Sequence, residues 1–337
     1  MRTALIVGGT GQIGRAAAER LADDRWEVTL AARAEAADVE FPVRILDRTE
    51  PGALEAAVGD GVDLLVDVVA YTLADAQQLV ALRGRIGSVI AISSASVYAD
   101  GEGLTFDSQE HGLFPRFPVP VGERQPTIAP GEDSYSSRKR AIELALLEHE
   151  DLRATVVRPG AIHGLHGRFP REWYFVKRIL DGRRFVVLAR RGASRFQTTA
   201  TANLAELIRL AARRPRRRVL NCGDPDAPTA VEIARACSAA LDHEFTEILL
   251  PGREQGSLGD HPWNTPSPVV LDMSESALDL GYRPVATYEA AAAETCRWLV
   301  EHTRGRDWRE ALPEALAHME PMFDYEAEDA FLRSLSD

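Results

Sequence analysis

The chain has 337 residues, which at roughly 150 residues per domain allows one large or two medium domains. Hydrophobic residues make up 45% and charged residues 27%, globular values that predict a sizeable core and exclude wholesale disorder. The net charge of −12 argues against general affinity for nucleic acid or an anionic membrane, and no apolar run approaches the roughly 18 to 20 residues that span a bilayer.

The opening residues, Arg2 to Val7, lead directly into a glycine loop. They read as a first strand (Ala4–Val7) rather than a secretory leader. Ile13–Leu21 then has a helical pattern, with Ile13, Ala17 and Leu21 on one face. Val28–Ala31 and Val43–Leu46 read as strands, and Pro51–Val58 as a helix started by Thr49. Leu64–Val69 is a continuous apolar strand, followed by a helix over Ala74–Leu82 and a strand over Val89–Ile92. Residues 99–133 break the pattern, being rich in Gly, Pro, Asp and Glu with scattered aromatics; a loop this long in a compact domain is usually functional. A helix over Ser136–Glu148 and a strand over Thr155–Val157 resume the alternation.

Continuous apolar strands separated by helices predict a parallel sheet covered on both faces. The expected fold is therefore α/β, a doubly wound (Rossmann) parallel sheet over residues 1–160. A smaller, mixed, substrate-binding part is expected over 161–302, with helices or strands at Trp173–Leu180, Phe185–Leu188, Asn203–Arg213, Val219–Asn221, Ala230–Leu241, Phe245–Leu249 and Glu289–Val300. Residues 303–337 read as a helical extension, helical over Trp308–Met319, that packs on the body or on a partner subunit. The basic run Arg213 to Arg218, interrupted by Pro215, reads as a solvated helix terminus. Cys222, Cys237 and Cys296 are odd in number and lack CxxC spacing, so no disulfide framework and no metal site is expected, and a reducing cytoplasm is the simplest setting.

Gly8-Gly9-Thr10-Gly11-Gln12-Ile13-Gly14 follows a strand and opens a helix, the context that a dinucleotide fingerprint requires. Gly8 permits the turn, Gly11 lets the backbone approach a pyrophosphate, and Gly14 allows close helix–strand packing; the helix N-terminus offers its N–H groups to the anion. The spacing is G-x-x-G-x-x-G. The second strand ends in Ala31-Ala32-Arg33, where NAD enzymes normally carry an acid for the ribose hydroxyl. A base in that place favours the 2′-phosphate of NADP, with Arg33 as its partner and Arg15 as a second candidate.

Tyr135 and Lys139 lie at i and i+4, on one helix face. With seven tyrosines and two lysines in the chain, some Tyr-x-x-x-Lys arises by chance in roughly 4% of such sequences. An ammonium beside a phenol favours the phenolate and makes the tyrosine a usable acid or base. Ser93-Ser94-Ala95-Ser96-Val97-Tyr98 stands at the carboxyl end of a strand, the end that faces the ligand crevice in open α/β sheets, where a hydroxyl can hold a substrate oxygen.

Together with Arg158-Pro159-Gly160, these motifs resemble the extended short-chain dehydrogenase/reductases, the NAD(P)-dependent epimerase/dehydratase group, over about residues 1 to 300. The resemblance implies catalytic roles for Ser94, Tyr135 and Lys139, with Lys139 also on the nicotinamide ribose. It implies cofactor contacts from Gly8, Thr10, Gly11, Gln12, Ile13, Gly14, Arg33, Asp47 (adenine), Val69, Ala70, Pro159 and Ile162. Substrate contacts are expected from Ser94, Ser96, His163 and Arg195. The sequence departs from the family's dehydratases, which follow the catalytic threonine with Asp-Glu, for here Ala95-Ser96 stand there; dehydration is not expected. The later segment Arg158-Pro159-Gly160-Ala161-Ile162-His163-Gly164-Leu165 lacks the usual Asn and Tyr, which weakens the expectation of a nucleotide-diphosphate substrate.

The expected function is an NAD(P)-dependent oxidoreductase acting on a carbonyl or secondary alcohol, with NADP favoured over NAD as cofactor. An NAD-dependent sugar-nucleotide epimerase is the alternative within the family, and a non-catalytic nucleotide-sensing or interaction protein the alternative of another class. A small-molecule substrate and a homodimer are the expected partners.

Overall fold

The computed structural model describes residues 2–36 and 38–335, which form two compact units. The first comprises Met1–Ile162, Thr201–Gly223 and Leu271–Val285; the second comprises His163–Ala200, Asp224–Val270 and Ala286–Asp337. The stretch 161–302 is thus shared between the units rather than forming one piece, and 303–337 belongs with the second unit.

In the first unit the strands β1 (Arg2–Val7), β2 (Trp26–Ala32), β3 (Val43–Ile45), β4 (Leu64–Asp67), β5 (Val89–Ile92) and β6 (Ala154–Pro159) are joined by a seventh, Arg218–Cys222. The order across the sheet is Arg218–Cys222, β6, β5, β4, β1, β2, β3, and neighbouring strands pair in parallel. Helices α1 (Gln12–Asp23), α2 (Ala53–Val58), α3 (Leu73–Ala81) and α4 (Tyr135–Leu147) cross between strands. Alternate residues of each strand feed opposite cores: Ala4, Ile6, Leu64, Val66, Ile90 and Ile92 pack with α1 and helix Thr201–Arg213. Leu5, Val7, Leu65, Val89 and Ala91 pack with α2, α3 and α4. Burial of both side-chain rows explains why the strands read as unbroken apolar runs. The sheet order reverses at β1 and β4, where Val7 pairs with Ala31 on one side and Asp67 on the other, and a ligand crevice opens at such a point.

Three local expectations are corrected. The second helix starts at Ala53 after a left-handed Gly52 (φ 77°), because the Thr49 amide and hydroxyl are both committed to the Asp47 carboxylate (3.0 and 2.7 Å). The tail helix is broken at Leu312 (φ −130°, ψ 58°), since a residue before proline is pushed out of the helical region; Pro313–Met319 then starts afresh. The arginines of 213–218 are largely paired rather than merely solvated: Arg213 meets Asp24, Arg216 and Arg218 meet Asp279, and Arg217 donates to the Leu147 carbonyl. Helix Ser274–Leu280 is additional to those expected, and Tyr325–Ser334 is a further helix within the expected helical extension.

The second unit has its own core around Trp173, Phe175, Ile233, Trp263, Leu299 and Met319. Its last helix is anchored by a buried ion pair: Arg178 donates to Glu328 (2.7 Å) and to the Met322 carbonyl (2.8 Å), with its guanidinium 3.7 Å over the Tyr174 ring. The tail therefore packs on the chain's own second unit. Cys222, Cys237 and Cys296 are free thiols and buried. Among the described residues, no helix is long and apolar enough to cross a membrane.

Candidate active site

The glycine loop turns at the carboxyl end of β1. Gly8 has φ +81°, and its N–H, like that of Gly9, donates to the Ala31 carbonyl on β2 (2.9 and 3.2 Å). A Cβ on Gly8 would fall 2.6 Å from the Val68 and Val69 side chains, and one on Gly14 would fall 2.5 Å from the Gly9 Cα. Gly11 differs. A Cβ there would have nothing closer than the Gly8 carbonyl oxygen at 3.5 Å, so its missing side chain leaves room over the loop rather than solving a packing conflict. Gly11 is also the N-cap of α1, with no side-chain cap, so the first N–H groups of that helix are left for an anion. Gln12 Oε1 is buried without a hydrogen-bond partner. A cradle fitted to backbone, an uncapped helix end and an orphaned acceptor together fit a dinucleotide. Ile13 and Ile162 pack on the first core cluster, and Thr10 gives its carbonyl to Arg15 (2.7 Å).

At the far end of β2, Arg33 is exposed. Arg15 is committed elsewhere, with Nη2 2.7 Å from Asp38. The Asp47 carboxyl is held below the ordinary value, first by the hydrogen bond from Thr49 and also by the charge of Arg33, so the two residues expected at the adenosine end do stand near one another.

The Tyr135/Lys139 pair lies on α4, begun by Ser134 in a reciprocal cap with Ser137. Asp107, in the 99–133 segment, accepts from Ser134 Oγ (2.5 Å) and Ser136 Oγ (2.8 Å), gripping both neighbours of Tyr135. Lys139 is buried, and its Nζ donates to the Ala70 carbonyl (2.7 Å) and the Ile92 carbonyl (2.9 Å). The ammonium lies 5.7 Å from the ring centroid of Tyr135 and 4.8 Å from that of Tyr71, two rings that remain 45% and 51% exposed. Loss of water around the amine is the largest influence on it and draws its pKa down to about 8, against the opposing charges of Asp67 and Asp75.

Ile92 is the last residue of β5, so the lysine fixes α4 to the strand that delivers Ser93 and Ser94. Ser93 donates to Glu143 (2.6 Å), a fully buried carboxylate that also holds Arg158 through two bonds (2.8 and 2.6 Å) and Arg140 (2.9 Å). Arg158 sits 4.8 Å over the Tyr98 ring, whose hydroxyl donates to Asn221 (2.6 Å). One carboxylate thus joins β5, α4 and β6, which carry Ser94, Tyr135 with Lys139, and Pro159. Ser94 Oγ accepts from the Ser96 amide (3.1 Å), while Ser96 Oγ is buried without a partner.

Sequence reasoning missed a second network. Asp67, at the end of β4, accepts from the Val69 amide (3.0 Å) and from Arg48 (2.8 Å); Asp75 accepts from the amides of Tyr71 (2.8 Å) and Thr72 (2.9 Å) and pairs with Arg48 (2.9 Å). The lone acid inside the expected strand Leu64–Val69 was the available signal, and the strand in fact ends at that residue, whose carboxylate turns back to take the Val69 amide. His163 and Arg195 belong to the second unit. There His163 Nε2 lies 2.8 Å from Asp224; burial disfavours the imidazolium, but the Asp224 hydrogen bond and charge outweigh it and hold the His163 pKa above the ordinary value. Arg195 is exposed, with Nε on the Ala227 carbonyl (2.9 Å).

A parallel sheet with a glycine turn at its switch point and a buried lysine beside an exposed tyrosine defines a nucleotide-dependent α/β enzyme class. Residues 4–223 match the model of the NAD dependent epimerase/dehydratase family, and the chain belongs to that family of NAD(P)-dependent enzymes. No curated protein matches its sequence. Among solved structures it is similar to UDP-N-acetylglucosamine 4-epimerase from Bacillus cereus, with a TM-score of 0.68, 17% identity and coverage of 88% of this chain and 99% of that one. It is also similar to dTDP-glucose 4,6-dehydratase from Bacillus anthracis in complex with NAD (0.67, 16%, 91% and 99%). A third is UDP-N-acetylglucosamine 4-epimerase from Methanobrevibacter ruminantium in complex with UDP-N-acetylmuramic acid (0.68, 18%, 89% and 98%). At these identities the likeness is one of fold.

Proposed function

We propose that the protein is an NADP-preferring oxidoreductase acting on a carbonyl or secondary alcohol of a small molecule, with Tyr135 as the proton donor or acceptor. The observation that carries this reading is the buried Lys139 ammonium, hydrogen-bonded to two backbone carbonyls with the Tyr135 ring beside it. A cation held there favours the phenolate over the phenol, which tunes the tyrosine for proton transfer. The bound nicotinamide supplies or takes the hydride. Ser94 donates to the substrate oxygen, and Ser96, whose hydroxyl is buried and unpartnered, takes a further substrate group. Gly8, Thr10, Gly11, Gln12, Ile13 and Gly14 hold the pyrophosphate side, Asp47 the adenine, and Val69, Ala70, Pro159, Ile162 and Lys139 the nicotinamide side. His163 and Arg195 are assigned to the substrate by their place in the family pattern, with Asp224 fixing the His163 ring.

NADP is favoured because β2 is followed by Arg33 and not an acid, while Arg15 is already paired with Asp38. Three buried free thiols suit a reducing cytoplasm, and a homodimer completes the proposal; sedimentation checks the latter. Titration with NADPH, NADH, NADP and NAD tests the cofactor assignment, and turnover of a panel of aldehydes, ketones and nucleotide sugars followed at the nicotinamide absorbance tests the reaction. NADPH is expected to bind at least about tenfold more tightly than NADH, a margin that Arg33→Ser removes. An epimerase instead retains stoichiometric NAD on purification and turns over with no net absorbance change.

A further inference from the structure

Arg48 immediately follows Asp47, and its side chain reaches Asp67 at the end of β4 and Asp75 and Gln78 on α3. Nη1 donates to Asp67 (2.8 Å), Nε pairs with Asp75 (2.9 Å), and Nη2 donates to the Asp75 carbonyl (3.1 Å) and to Gln78 Oε1 (3.2 Å). Gln78 closes the ring by donating back to the Arg48 carbonyl (3.0 Å). The guanidinium and both carboxylates are largely or wholly shielded from water, Asp67 completely. The two acids in turn hold the backbone between them: Asp67 takes the Val69 amide, and Asp75 takes the amides of Tyr71 and Thr72. Ala70 lies inside this brace, and its carbonyl is one of the two acceptors of Lys139.

We propose that Arg48 is a positioning residue for Lys139, clamping Asp67 to Asp75 so that the Val69-Ala70-Tyr71 turn presents its carbonyl to the ammonium. This rests on the reading of Lys139 as the residue that serves Tyr135. The planar fork is what the role requires, because one guanidinium can engage two carboxylates and an amide oxygen at fixed angles, whereas an ammonium is a point charge. Arg48 also sets the charge around the lysine. The ionisable groups about Lys139 are Asp67 on β4, Asp75 on α3, Arg48 between β3 and α2, Glu143 and Tyr135 on α4, and Tyr71. With the guanidinium present the two aspartates are largely neutralised. Without it they face the ammonium alone.

The chain has only two lysines, Lys139 and Lys177, so full-length protein grown with 13C-lysine gives two side-chain Cε signals, assigned with Lys177→Arg. The Lys139 signal is followed against pH in wild type, Arg48→Met, Arg48→Lys and Asp75→Asn. Arg48→Met is expected to move the Lys139 titration up by about one pH unit, and Asp75→Asn to move it down. Arg48→Lys, which keeps the charge, is expected to stay nearer wild type. Simple loosening of the structure would admit water and move every variant upward, so the opposite signs separate loss of this specific Arg48–carboxylate network from general disruption. If Arg48→Met fails to fold, Asp75→Asn still carries the test, since the downward shift expected of it is opposite to that of disruption. An unmoved Lys139 in Arg48→Met, or an upward drift in Asp75→Asn, overturns the proposal. A wild-type Lys139 titrating at the ordinary lysine value contradicts instead the reading of the site itself.

Discussion

The ammonium of Lys139 stands 5.7 Å from the centre of the Tyr135 ring, one helical turn away on α4, while two backbone carbonyls hold the same nitrogen. Neither carbonyl carries a formal charge, and burial outweighs the opposing charges of Asp67 and Asp75 on the amine. Three consequences concern the lysine, the elements around it and the glycine turn.

Because burial draws the Lys139 pKa to about 8, kcat/KM is expected to fall as pH rises through that value and the cation beside Tyr135 is lost. The stability consequence has a definite sign. A lysine whose folded pKa lies below its unfolded value of about 10.4 binds fewer protons when folded, so its contribution to stability rises with pH between about 8 and 10.4. The Lys139→Met variant should lack both dependences, which a pH series of urea midpoints and of initial rates will read.

Glu143 is the node where β5, α4 and β6 meet. Glu143→Ala would leave Arg158 buried beside Tyr98 without its carboxylate, a change of the kind that costs about 3–5 kcal/mol. We expect a clearly lowered urea midpoint. An exposed pair such as Arg83–Asp151 serves as the control, and Asp151→Ala should leave the midpoint close to that of wild type.

Gly11 and Gly14 should separate cofactor binding from folding. Gly14→Ala forces a methyl to 2.5 Å from the Gly9 Cα, so both stability and NADPH affinity should drop. Gly11→Ala meets nothing closer than 3.5 Å at an ordinary φ of −82°, so the protein should melt as wild type while NADPH affinity falls by at least about tenfold. Melting curves and fluorescence titration on the two variants check this.

The parallel sheet was legible because both faces of its strands are buried, which writes Leu64–Val66 and Val89–Ile92 as unbroken apolar runs. The glycine turn and the Tyr135/Lys139 spacing were legible because each is a local pattern whose geometry is set by a few consecutive residues. Arg48 was not: its partners lie 19 and 30 residues away, and no local period links them. Ser93 and Glu143, 50 residues apart, were hidden for the same reason. The Thr49 helix start failed because a side chain able to cap a helix bonded Asp47 instead. The break before Pro313 obeyed a rule that the apolar spacing of the tail had masked.

Tyr135 is proposed to carry the proton while other residues hold the cofactor. Paired measurement on Tyr135→Phe tests this most directly, with NADPH affinity by fluorescence titration and turnover of the best substrate on the same preparation. The expected result is a dissociation constant within about threefold of wild type and a kcat lower by about 10²- to 10⁴-fold. A phenylalanine variant that binds NADPH and turns over at the wild-type rate would contradict it.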